Sequence, residues 1–176
     1  MAVSKQQHTR ERISFTEVAG DGVYAGLIGA SAVALWFLVV DTWVREPFFT
    51  PSLVANVVLH GQDANTAAPI SLPLVAAYSA FHALAFVAYG ILASWVIDQF
   101  QETPEFPVIA MGLFVTLEGG FVAAMKLFYP EVPAIIGHGF IVVGNVLGAV
   151  SMAVWYSGWQ RHPSDLRELE KARASH

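Results

Sequence analysis

Three ionisable groups lie where ionisable groups are costly. Glu118 sits in the middle of FVTLEGGFVAAMKLF, His82 in LPLVAAYSAFHALAFVAYG, and His138 in PAIIGHGFIVVG. A carboxyl group and two imidazoles in apolar surroundings suit three kinds of chemistry. They can hydrogen-bond one another as a buried polar network, ligate a transition metal or a haem b, or pass protons. Tyr78 and Tyr89 share the helix face of His82, and Asn145 shares that of His138. The network candidates are therefore Glu118, His82, His138, Asn145, Tyr78 and Tyr89. The candidate metal ligands are His82, Glu118 and His138, and Gly137 and Gly139 beside His138 leave room for a flat ring.

No local signature selects among these. There is no His-Glu-x-x-His, no Glu-x-x-His, no phosphate-binding glycine loop and no nucleophile elbow. The chain has no cysteine, which excludes disulfides, zinc–thiolate sites and iron–sulfur clusters. No catalytic residue is identified, and the reading leans away from an enzyme. The tails carry too few basic residues for a nucleic-acid surface.

The elements that must position these groups follow from composition. Of 176 residues, 55% are hydrophobic and 13% charged, against about 25% charged in a soluble domain. The charges crowd the ends and the connections, leaving four runs long enough to cross a bilayer, at about 22–44, 72–97, 106–128 and 133–159. The expectation is an all-α fold: a single membrane domain, an integral bundle of four antiparallel transmembrane helices. The tails, 1–21 and 160–176, hold Lys5, Arg10, Arg12, Arg161, Arg167, Lys171 and Arg173. The positive-inside rule then puts both termini in the cytoplasm of a bacterial inner membrane.

With that orientation, Glu118 lies roughly 15 Å from the outer end of the third span and His82 roughly 14 Å below Pro73, at 1.5 Å per residue. The two fall at nearly one level. Asp41, His60 and Lys126 lie nearer the outer mouth. In the first outer loop, TPSLVANVVLHG predicts a short interfacial helix with Thr50 as N-cap, Pro51 first, Gly61 as stop, and Leu53, Val54, Val57 and Val58 on one face. PSDLRELEKARASH predicts a polar helix capped by Ser164, with Asp165 in its first turn. Gly22, Gly26 and Ala30, and separately Gly144 and Gly148, recur at every fourth position, a spacing that lets helix backbones approach closely.

The function expected on these grounds is that of a small polytopic inner-membrane protein. It is an accessory or assembly subunit of a membrane complex, built around a buried Glu/His network. Its partners are the lipid bilayer and either other membrane subunits or further copies of itself. The alternatives are a membrane redox or metal protein holding haem b or a metal through His82, His138 and Glu118, and a proton or ion path.

Overall fold

The computed structural model describes residues 15–61, 63–64, 69–100, 119–120 and 122–159. Every regular element among them is helical. A long apolar stretch without proline folds as α1, Phe15–Val44, and stops just before Glu46-Pro47. Helix α2 is Phe49–His60. Helix α3 is Leu72–Phe100, with Pro73 in its first turn, where no backbone donor is needed. Residues 122–128 are helical. Then come α4, Glu131–Ile136, and α5, His138–Trp159.

Three helices are long and apolar enough to cross a membrane: Val18–Val44, Leu72–Gln99 and His138–Ser157. Between 17% and 33% of the most apolar window of each is buried inside the protein. Most of their apolar surface therefore faces outward, as it does in an integral membrane protein and as it rarely does in water.

The helices depart from the sequence-based boundaries in three places. α1 starts at Phe15 rather than Gly22, because neither the glycines nor Asp21 interrupts the helix, and the candidate span reaches back to Val18. α2 starts at Phe49, one residue before the expected cap. Its N-cap is Phe48, in the left-handed region at φ 67°. Thr50 is thus inside the first turn, where its N–H needs an acceptor from elsewhere. Gly61 ends α2 at φ 62°, donating its N–H to Val57. The run 133–159 is not one helix. It breaks at Gly137, whose φ of 97° and ψ of 113° favour glycine. Most of the third run, and the expected C-terminal helix at Ser164 and Asp165, lie outside the described residues.

Helix α1 is the spine. A side chain at Gly22 would collide with the backbone of Gly90 and Ile91, and one at Gly26 with that of Phe86 and Val87. Gly90 in turn lies against the carbonyl of Gly22. On a second face, Gly29 meets Met152, Val33 meets Gly148, and Gly144 meets Trp36 and Phe37. Both sets of contacts pair rising numbers on α1 with falling numbers on its neighbour, so α1 runs opposite in chain sense to α3 and to α5. Ala25, Ala30 and Val33 are buried along this spine. Close backbone approach is the main source of packing energy where lipid removes the hydrophobic drive between helices.

The apolar core cluster sits at the α2 end of the bundle. Leu53 and Val57 of α2, Val132 and Ile136 of α4, Ile141 of α5 and Ala64 pack together there. Of the four residues expected to form the apolar face of α2, Leu53 and Val57 are buried, Val54 is partly buried and Val58 is exposed.

Candidate functional site: a groove beside His82

α3 and α5 both lean on α1, and a groove is left between them. α2, α4 and Tyr129 roof one end of it. The cavity is about 720 Å3 and is lined mainly by aliphatic and aromatic side chains. Its polar lining comes from Tyr78, His82, Tyr89, Asn145 and Tyr156, with Thr50 and Ser157.

His82 is the imidazole among the described residues that line this groove. Helical spacing stacks it between Tyr78 and Phe86, with centroids 5.6 Å and 4.7 Å away. The ring's Nε2 is buried and has no hydrogen-bond partner among the described residues. A buried imidazole nitrogen left in this state costs about 1–3 kcal/mol.

The other expected residues divide. Tyr78, Tyr89 and Asn145 line the groove with His82. His138 does not: it is the first residue of α5, and it is exposed. The break at Gly137 turns the chain there, so a position read as part of a continuous buried helix becomes a helix start. Glu118 lies outside the described residues. Among the described residues no three metal-binding side chains gather.

Of the three mouth residues, His60 and Lys126 are exposed, and His60 Nδ1 is 3.4 Å from Asn56 Oδ1. Asp41 is different: it is fully buried, with 0% of its surface exposed. Its Oδ2 accepts the Thr50 N–H at 2.7 Å and its Oδ1 accepts the Thr50 hydroxyl at 2.7 Å. Thus the carboxylate caps the start of α2 from α1, where an anion is favoured. Arg45, one turn on, is 3.6 Å from Asp41 Oδ1. Its Nη2 donates to the carbonyls of Ile135 and Ile136 at 2.6 and 2.8 Å, and its guanidinium lies 5.0 Å from the Phe49 ring centroid. A cation on the last carbonyls of α4 satisfies groups the helix itself leaves open.

Sequence reasoning missed Arg45 in this role. The available signal was the opposite charge at i and i+4 with Asp41. It also missed Gly90, and a polar contact at the far end of the groove, where the Tyr156 hydroxyl donates to the Gly90 carbonyl at 3.0 Å and lies 2.8 Å from Ser94 Oγ. Trp36 Nε1 donates to the Phe140 carbonyl at 2.9 Å, tying α1 to the first turn of α5.

No protein-family model matches the chain, and neither does any curated protein or solved structure. The residues themselves therefore carry the functional reading.

Proposed function

We propose that this chain is an accessory or assembly subunit of a membrane complex, a four-span antiparallel bundle organised around a buried Glu118–His82 pair. The observation that carries the reading is the buried Nε2 of His82, which has no hydrogen-bond partner among the described residues, on a side chain that lines the groove. The apolar run 106–128 is long enough to span, and its described end already reaches the groove, since Met125 and Tyr129 line it. In the proposed third span Glu118, seven residues before Met125, would share its helix face, roughly 10 Å further along. In this arrangement the third span lies between α3 and α5, and its carboxyl group meets the imidazole. A paired carboxyl and imidazole satisfy each other where neither tolerates isolation. The outward faces stay apolar, and no catalytic motif is present, which favours a role in contact with lipid and other membrane subunits. The membrane is a bacterial inner membrane, with both termini cytoplasmic.

The absence of cysteine makes the test clean. A His82→Cys, Glu118→Cys double variant should be bridged by a short bifunctional thiol cross-linker, because a carboxyl group bonded to Nε2 leaves the two Cβ atoms roughly 6–9 Å apart, beyond the reach of a direct disulfide. A Leu84→Cys, Glu118→Cys pair should not, since Leu84 points away from the bundle and is largely exposed. The reverse pattern would refute the pairing. For the accessory role, the solubilised protein should migrate within a larger assembly on native gels. Migration as a free chain, or a haem absorption band in the purified protein, would overturn it. Orientation is read from single cysteines in intact cells: Gln62→Cys should react with an impermeant reagent and Ser175→Cys should not.

A further inference from the structure

The groove has a roof, and residues at the end of α1 bind both of its parts, while the Ser71 N–H also donates to Ser52 Oγ of α2 at 3.2 Å. α2 covers it with Val54 and Ala55, and α4 with Val132 and Ile136. α2 is held by the two Thr50 bonds to Asp41. α4 is held by the two bonds from Arg45 to the Ile135 and Ile136 carbonyls. Asp41, on the last turn of α1, and Arg45, the first residue after the helix, form an ion pair. Arg45 Nη1 is buried with no hydrogen bond among the described residues, so the Asp41 carboxylate is the charge that faces it. Each roof element also joins the bundle through a residue of positive φ, Phe48 before α2 and Gly137 after α4. Changes of backbone angle at such junctions are how hinged elements move.

We propose that Asp41 and Arg45 form a single latch that closes this end of the groove, so that α2 and α4 are released together rather than separately. The coupling is physical. Without the carboxylate, Arg45 loses the anion that orients its guanidinium towards α4. Without the guanidinium, Asp41 keeps a buried charge with only Thr50 to satisfy it, and its hold on α2 weakens. The latch is independent of the Glu118–His82 pair and lies at the far end of α1 from the Tyr156–Ser94 contact.

The test places reporter cysteines at Ala55→Cys on α2 and Val132→Cys on α4, both buried, and at Ser94→Cys as a remote control. Maleimide labelling rates are compared in the parent, Asp41→Asn and Arg45→Gln backgrounds in the same detergent. Asp41 makes no described bond to α4, whereas Arg45 also lies against the Phe49 ring of α2, so the deciding reporter is Val132→Cys in the Asp41→Asn background. Each background should raise labelling at both roof reporters, by about tenfold to a hundredfold, the change that losing one charge-assisted hydrogen bond makes in an opening equilibrium. The Ser94→Cys rate should not change. A rise confined to Ala55→Cys in the Asp41→Asn background would overturn the latch. So would an equal rise at Ser94→Cys, which would mean general loosening.

Discussion

Among the described glycines the tightest backbone contacts lie on the seam between α1 and α3, and a single methyl group tests it. In Gly22→Ala the new Cβ would lie 2.8 Å from the Gly90 carbonyl carbon and nearer still to Ile91. The obstructing atoms are backbone, so no rotamer change relieves the clash. The helices must part by about 1 Å to restore the 3.5–4.0 Å at which carbon atoms attract. Two residues earlier, Gly20→Ala adds the same methyl with nothing within 4 Å. Both substitutions gain the same helix propensity, so their difference isolates the cost of overpacking, about 1–3 kcal/mol against Gly22→Ala. Gly29→Ala should fall between them, because the atoms it meets at 2.9 Å belong to the flexible Met152 side chain. The assay is reversible unfolding in mixed micelles, followed by circular dichroism as denaturing detergent is added. A difference between Gly22→Ala and Gly20→Ala below about 0.5 kcal/mol, the spread of neutral surface substitutions, would refute the seam.

The same unfolding assay reads four further substitutions. Asp41→Ala should cost about 3–5 kcal/mol, since it strands a buried guanidinium and two Thr50 donors, whereas Thr50→Val keeps the backbone bond and should cost about 0.5–1.5 kcal/mol; equal effects would contradict the geometry at Asp41. Tyr156→Phe should cost about 0.5–1.5 kcal/mol by removing the bonds to Gly90 and Ser94, and no loss would mean that this contact holds nothing. His82→Phe keeps the stacking with Tyr78 and removes the imidazole. It should destabilise by about 1–3 kcal/mol if Glu118 is the partner left behind, and a neutral or stabilised variant would show that Nε2 is truly alone.

The sequence alone determined that long apolar helices dominate this chain, and where most of them lie. Uninterrupted apolar length leaves the backbone no alternative that satisfies its own polar groups in lipid, so Val18–Val44 and Leu72–Gln99 are legible without a fold. Gly61 as the stop of α2 was legible for a local reason too, the left-handed turn that glycine accepts. The face shared by Tyr78, His82 and Tyr89 follows from helical spacing. What spacing cannot give is the partner across a gap. The tertiary structure decided that the first glycine stripe meets Gly90, that the fourth run breaks at Gly137, and that His138 is exposed rather than buried beside His82. It also decided that Asp41 is the buried charge at the mouth and that Arg45 holds the broken helix end. A glycine in an apolar run reads equally well as a packing surface or as a helix end. Which it becomes depends on whether another element supplies bonds for the carbonyls a break would free, and here they come from an arginine 90 residues earlier in the chain.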